Sequence, residues 1–379
     1  MEFSFSEDQD ELRRAARRFL EVQSSEERVR SAMETERGYD PATWEQLSEE
    51  LAWTALTIPE AYGGLGMSYL ELHPLMEEMG RALLCSPFFS TICLGANALL
   101  LAGSEGQKQR YLPEIAAGTT KPTLAYAEKN NRMDALGVEA TYSRSGSGYA
   151  LHGEKRYVLD GHTAELLVVA ARSEGSTGAE GVSLFLVSGD AQGLERRWLP
   201  TMDQTRRLAS VVLADVAISD DALLGEEGRG WELCERTLDL ARIALAAEQV
   251  GAAEMCLEMS VEYAKVRKQF GRPIGSFQSI KHKCADMLMM VESARSAAFY
   301  ASALAAQGDD GLSEAASSAK AYCSDTFFHC AAENIQIHGG IGFTWEHAAH
   351  LYFKRAKSSE TLLGDPSFHR ERVARCMGL

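Results

Sequence analysis

Residues 266–278 read VRKQFGRPIGSFQ, and their punctuation decides how the C-terminal third folds. Upstream, GWELCERTLDLARIALAAEQVGAAEMCLEMSVEYAKVRKQF (230–270) holds helical apolar spacing for about ten turns. Arg267, Lys268 and Gln269 are expected to end that helix, where basic residues complement its dipole. Phe270 and Gly271 break it, and Pro273 follows. Downstream, SIKHKCADMLMMVESARSAAFYASALAAQ (279–307) and LSEAASSAKAYCSDTFFHCAAENIQIHG (312–339) are long, Ala-rich and apolar over a wide arc. That is the pattern of helices in a packed bundle. The Met-rich run DMLMMVE (286–292) reads as core filler.

Moving toward the N-terminus the texture changes. From about 119 to 225 short runs appear, among them TLAYAE, YALHGEKRYVL, ELLVVAAR, VSLFLVSG and ASVVLADVAI. They are rich in Val, Leu and Tyr and are separated by Gly, Ser and Asp, an antiparallel β signature. Before them, the first 118 residues are helical. SEDQDELRRAARRFLEVQ opens with Ser6 as N-cap and acidic residues in the first turn. The reading is an α+β chain in three parts: an N-terminal helical domain at 1–118, a middle antiparallel β domain at 119–225 and a C-terminal four-helix bundle at 226–379. No linker-like stretch separates them.

Composition narrows the function. The 379 residues are 45% apolar and 24% charged, as in an ordinary soluble globular protein. A net charge of −16 argues against nucleic acid or an anionic membrane as main partner. No apolar run is long enough to span a membrane, and no apolar signal core opens the chain. The eight cysteines are scattered singly, without a C-x-x-C pair, which fits reduced, mostly buried thiols in a cytoplasmic protein. His282, His329, His338, His347 and His350 form no spacing tied to metal.

Three stretches could carry chemistry. In VRKQFGRPIGSFQ an Arg, a Gln and an aromatic suit a planar ring with phosphates, although basic residues at a helix end are ordinary. In QIHGGIGFTWEH (336–347) Gly339, Gly340 and Gly342 either turn the chain or let a pyrophosphate approach bare backbone. Asp239 and Arg242 are three apart on one helix face, either a modest ion pair or part of a site.

Together, Arg-x-Gln-Phe-Gly-x-Pro-Ile followed by Gln-x-x-Gly-Gly-x-Gly-Phe, inside a helix–β–helix chain of this length, resembles the acyl-CoA dehydrogenase family. IPEAYGGLGMS, YALHGEKRYVLDG and LLGEEGRGW extend the resemblance over essentially the whole chain. It implies FAD as cofactor, acyl-CoA as substrate, and α,β-dehydrogenation in which a carboxylate removes the α-proton while the flavin accepts a hydride. It implies further that Arg267, Gln269, Phe270, Gln336, Gly339 and Gly340 serve the adenosine-diphosphate half of a neighbouring subunit's FAD. Asp239 and Arg242 would line the acyl-CoA site, and an electron-transfer flavoprotein would accept the electrons.

The pattern departs from the family at the reacting centre. Leu363 stands where the base, a Glu before a Gly, is usual, and Gly364 still follows it. Ala241 holds the family's second location for the base. Ala127 and Leu159 replace hydroxyl-bearing Thr, Met133 replaces Ser, and Tyr157 replaces Trp. Some bacterial members pair two unlike subunits with fewer flavins than chains, and this chain resembles the subunit without the base. The expectation is a homo- or hetero-tetramer with a related dehydrogenase subunit. Steroid side-chain, dicarboxylic or other bulky acyl groups are the candidate substrates. The alternatives are a self-sufficient dehydrogenase using Asp365 or Glu360, a flavin monooxygenase, and a non-catalytic acyl-CoA-binding protein. For Asp365, capping the turn before Pro366 is the favoured role.

Overall fold

The computed structural model describes residues 5–309 and 311–379. Helices α1 (Glu7–Gln23), α2 (Glu26–Glu34), α3 (Pro41–Glu45), α4 (Tyr69–Arg81), α5 (Asn97–Ala102) and α6 (Glu105–Ala116) come first. Strands β1 (Pro122–Ala125), β2 (Thr141–Ser145), β3 (Gly148–Leu159), β4 (Leu166–Ser173), β5 (Val182–Ser188), β6 (Leu194–Leu199), β7 (Leu208–Ser219) and β8 (Leu223–Leu224) follow. Then come α7 (Gly230–Val266), a small hairpin β9 (Lys268–Gln269) and β10 (Arg272–Pro273), α8 (Gln278–Gln307), α9 (Leu312–His338), α10 (Ala349–Thr361) and α11 (Pro366–Cys376). Ser6 caps α1 in a reciprocal capping box with Gln9, as its spacing predicts.

The chain forms two compact units. One holds residues 32–67 and 85–241. Its eight-stranded sheet runs β6-β7-β3-β2-β4-β5-β8, with β1 beside β4. Most pairings are antiparallel; β1–β4 and β2–β4 are parallel. Strand β4 is buried at every residue but the last. Cover on both faces explains why ELLVVAAR runs apolar without alternating. Tyr142, Tyr149 and Phe185 pack edge-on and tilted, with centroids 4.9–5.7 Å apart, at the centre of the sheet's core.

The other unit holds the chain up to residue 31, residues 68–84 and residues 242–379. Helix α9 packs against α8, α10 and α11, and α4 packs against α1 and α8. Helices α4 and α7 approach so closely that a β-carbon at Gly80 would lie 1.9 Å from the Glu248 carbonyl oxygen. One at Gly251 would lie 1.8 Å from that of Glu77. The Met-rich run departs from the core-filler reading: Met287 is buried, but Leu288 and Met289 are 50% and 69% exposed on the outer side of α8. Six of the eight cysteines are buried. No described helix is long and apolar enough to cross a membrane.

Candidate functional site

The turn joining α10 to α11 contains Leu363 and Gly364, where the resemblance leads one to expect a base. Helix α10 ends at Thr361, and Leu363 adopts φ +60° while Gly364 adopts φ +106°. A left-handed backbone costs a non-glycine residue roughly 1–2 kcal/mol, so something must hold it. Three buried side chains do. Arg242 on α7 donates from Nε to the Leu363 carbonyl at 3.1 Å. His369 on α11 lies 3.1 Å from the same oxygen through Nε2. Lys320 on α9 donates to the carbonyls of Gly364 at 3.1 Å and Glu360 at 3.2 Å, and to Ser324 Oγ at 2.9 Å. All three are fully buried. Burial first, and then the charges of Arg242, Lys320 and Arg372, push the His369 imidazole down to about 2. It is therefore neutral, with its proton on Nε2 facing the carbonyl.

Leu363 is itself 1% exposed, and its side chain can take no proton. Asp365, the nearest carboxylate downstream, is the N-cap of α11 and accepts from the Phe368 N–H at 2.8 Å. Pro366 is the first residue of that helix rather than only the stop of the one before. Glu360 is paired with Lys357 at 2.9 Å. Asp239 and Ala241 lie buried on α7, in the part of that helix belonging to the sheet-containing unit.

The 266–278 stretch differs in form from the sequence reading. Helix α7 ends at Val266, and Lys268–Pro273 form a tight antiparallel hairpin with Gln269 opposite Arg272. Its two-residue loop, Phe270 at φ +53° and Gly271 at φ +78°, has the positive φ pair of a type I′ turn. Phe270 is 92% exposed, with only an edge contact to Phe277 at 6.2 Å. Arg267 and Gln269 are also exposed. At the end of α9, the His338 ring stacks on Tyr263 at 4.3 Å and its Nδ1 donates to the Asn334 carbonyl at 2.8 Å. Gln336, Gly339 and Gly340 are exposed beyond it. Gly339 has φ +65°, and a β-carbon at Gly342 would lie 2.9 Å from His338 Cβ. Gly340 has neither reason to be glycine: its φ is ordinary and nothing lies within 4 Å of a β-carbon there.

In the sheet-containing unit, Ala127 follows β1. Its carbonyl accepts from the Arg156 N–H at 2.9 Å, and the Leu159 carbonyl accepts from Thr123 Oγ1 at 2.7 Å. Met133 Sδ receives the Tyr126 hydroxyl at 3.6 Å. Tyr157 sits at a bulge in β3 with φ +59°, 45% exposed. Next to Ala127, Glu128 Oε1 accepts the N–H groups of Glu139 and Ala140, each at 2.9 Å, and the ammonium of buried Lys155 at 2.5 Å. No cluster of His, Cys, Asp and Glu among the described residues could hold a metal.

Lys320 and His369 escaped the sequence reading. Their only signal was a single Lys set among small residues in SSAKAY, on a helix otherwise apolar over a wide arc.

Models of the acyl-CoA dehydrogenase N-terminal, middle and C-terminal domains match residues 6–119, 123–216 and 228–378. The chain belongs to the acyl-CoA dehydrogenase family. It is 35% identical, over 98% of both chains, to the acyl-CoA dehydrogenase IpdE2 of Mycolicibacterium smegmatis. It superimposes on butyryl-CoA dehydrogenase from Megasphaera elsdenii with a TM-score of 0.93 at 28% identity, over the whole of both chains. For a chain of the ChsE4–ChsE5 complex of Mycobacterium tuberculosis the TM-score is 0.90 at 25% identity, covering 100% of this chain and 99% of that one. The protein is thus an oxidoreductase acting on acyl-CoA, and FAD is its cofactor.

Proposed function

We propose that this chain is one subunit of a heteromeric FAD-dependent acyl-CoA dehydrogenase, in which a related partner chain supplies the catalytic base. The observation that carries the reading is the turn at 363–365. The base position holds a buried leucine, and the adjacent aspartate is committed to capping α11. The likeness to a chain of a complex of two differently named subunits supports it.

The adenosine-diphosphate half of FAD fits the groups the chain exposes. Arg267 suits a phosphate, Gln269 and Gln336 offer amide donors and acceptors, and Phe270 offers a free ring face. A strained, exposed aromatic on a tight turn has no packing role to explain it. Gly340, which the fold leaves free to carry a side chain, suits a backbone that a pyrophosphate must approach. The ring edge fits less well: Ala127, Leu159 and Met133 carry no hydroxyl, and the carbonyls of Ala127 and Leu159 already accept from Arg156 and Thr123. FAD bound there would supply the hydride acceptor for the β-hydrogen of the acyl chain. This chain's own part is to hold the cofactor's far end, while Arg242 and Asp239 border the acyl-CoA site. An electron-transfer flavoprotein is the expected electron acceptor and a tetramer the expected assembly.

The test is flavin absorbance per chain, for the chain purified alone and co-expressed with the product of an adjacent dehydrogenase-like gene. Little flavin and little turnover alone, with both restored on co-expression, is the expected result. Stoichiometric flavin and robust turnover in the single chain would overturn the proposal.

A further inference from the structure

The two exposed stretches proposed to serve the cofactor's adenosine-diphosphate half leave from the ends of different helices. Arg267, Gln269 and Phe270 follow the end of α7, and Gln336, Gly339 and Gly340 lie at the end of α9 and just past it. A ligand held by both needs their spacing set in advance. Three rings in a row connect them. Tyr263 lies one turn before Arg267, whose N–H donates to the Tyr263 carbonyl at 2.9 Å. Its ring stacks on His338 at 4.3 Å. The His338 ring lies in turn 4.4 Å from that of His347, at the far end of the Gly-rich loop. Gly342 folds that loop tightly onto α9, since a β-carbon there would lie 2.9 Å from His338 Cβ. The rings thus run from α7 across the tip of α9 to the loop that follows it.

Hydrogen bonds fix where the protons sit. His338 Nδ1 faces the Asn334 carbonyl at 2.8 Å and therefore carries a proton. His347 Nδ1 accepts from the Ala349 N–H at 3.1 Å, so it carries none, and the neutral ring has its proton on Nε2. Protonating His347 takes the lone pair that holds Ala349 and sets an imidazolium against His338. Burial is the largest cause for both rings, and it lowers each from the ordinary 6.5. The charged and titratable groups around them are Glu26 and Arg30 from α2, Tyr263 from α7, Glu346 in the loop, and His350 and Lys354 from α10. Glu26 and Arg30 pair with each other at 2.7 Å, and their effects on His347 oppose one another.

We propose that Tyr263, His338 and His347 are positioning residues for FAD, a strut of three neutral rings that sets the 267–270 hairpin and the Gly339–Gly340 loop at the spacing the adenosine-diphosphate half requires. The inference rests on the reading that these two stretches bind that half. None of the three rings has to touch the cofactor. The strut also makes the seat sensitive to acid, because it is complete only with His347 neutral. Affinity for FAD is then full well above the His347 pKa and falls as pH drops through it, by up to about tenfold per pH unit for one linked proton.

The test is FAD titration of the assembled enzyme after flavin removal, from about pH 8 to about pH 5, with the unaltered chain, His347→Phe and His347→Asn. Phenylalanine keeps a ring without a site for a proton, and asparagine keeps an acceptor for Ala349 without one. The affinity of the unaltered enzyme should fall on acidification, and that of both variants should stay flat. Tyr263→Leu should weaken FAD binding at the alkaline end roughly 2- to 12-fold, the worth of one aromatic pair. In the flavin-free chain it should also speed chymotrypsin cleavage at the exposed Phe343 and Trp345. Equal pH slopes in the unaltered and variant enzymes overturn the strut, as does unchanged affinity in Tyr263→Leu. If His347→Phe does not fold, His347→Asn carries the comparison. Failure of both to fold would give this half-buried loop residue a core role and overturn the proposal as well. Phe270→Gly separates the strut from the reading beneath it. If that variant weakens FAD binding while the slopes are equal, the strut fails and the seat stands; if FAD binding responds to none of these changes, both fail.

Discussion

Replacing Phe270 by glycine separates the fold from the cofactor. Phe270 is held at φ +53°, a conformation that costs a non-glycine residue roughly 1–2 kcal/mol. Glycine removes that cost, but its freer unfolded chain takes back roughly 0.5–1 kcal/mol. The ring is 92% exposed and touches only the edge of Phe277, so little packing is lost. Folding stability should change by about 1 kcal/mol or less, a Tm shift of at most roughly 2–4 °C. Stacking of an aromatic ring on a nucleic-acid base contributes about 1–3 kcal/mol. If Phe270 packs on the adenine of FAD, Phe270→Gly should weaken FAD binding roughly 5- to 150-fold. The assay is FAD titration of the assembled enzyme after flavin removal, with thermal unfolding of the same preparation in its flavin-free form. Unchanged FAD affinity would refute the reasoning. So would a flavin-free Tm that falls by ten degrees, because that would give the ring a structural role the exposed hairpin excludes.

Asp365→Ala should lower stability by about 1 kcal/mol through loss of the α11 cap, with Asp365→Ser recovering most of it. Turnover of the assembled enzyme should be unchanged; loss of turnover with normal flavin content would make Asp365 the base instead. Glu77 is fully buried, and burial alone would raise its carboxyl. The hydrogen bond and charge of His73, with the charges of Arg295 and Arg13, outweigh that and hold it down at about 2. A folded pKa below the unfolded one adds stability above about pH 4.5, and this is lost as pH falls toward 2. Glu77→Gln should therefore cost roughly 3–5 kcal/mol at pH 7 in urea unfolding, and should flatten the loss of stability below pH 4.5.

Much of the architecture is legible because periodicity is local. The long helices and the Val- and Leu-rich strands announce themselves, and Ser6 and Asp365 sit where caps are expected. What escapes is set at a distance. Two-residue strands have no period, so the Lys268–Pro273 hairpin reads as the end of a helix. A Met-rich run looks like core because hydrophobicity does not say which side of α8 faces outward. Amphipathic patterns in α1 and α4 demand a partner without naming it, so the assignment of the first third to two units is invisible in the sequence. Arg242 stands out in the sequence beside Asp239, but its bond to the Leu363 carbonyl does not, and Lys320 acts on a carbonyl 44 residues further along, which no local pattern carries.

Of the departures from the family pattern, Leu159, Ala241 and Leu363 are buried apolar residues, whereas Ala127, Met133 and Tyr157 are not buried. Ala127 and Leu159 keep their backbone bonds to Arg156 and Thr123 whatever side chain they carry. Their neighbours Glu128 and Lys155 are tied into a buried ion pair that also holds two backbone N–H groups. Fold constraint alone would explain this contrast if every position free of it had drifted. Phe270 and Gly340 show otherwise. Neither is needed for packing, and Phe270 is strained, yet both match the family motif. Positions free of the fold therefore divide into two sets. In the proposed subunit, those that would face this chain's own flavin ring and base site lack the polar groups of the family pattern, whereas exposed Phe270 and Gly340 keep the residues of the family motif. General decay would have blurred both sets alike, and a division of this kind is what the proposed subunit role expects.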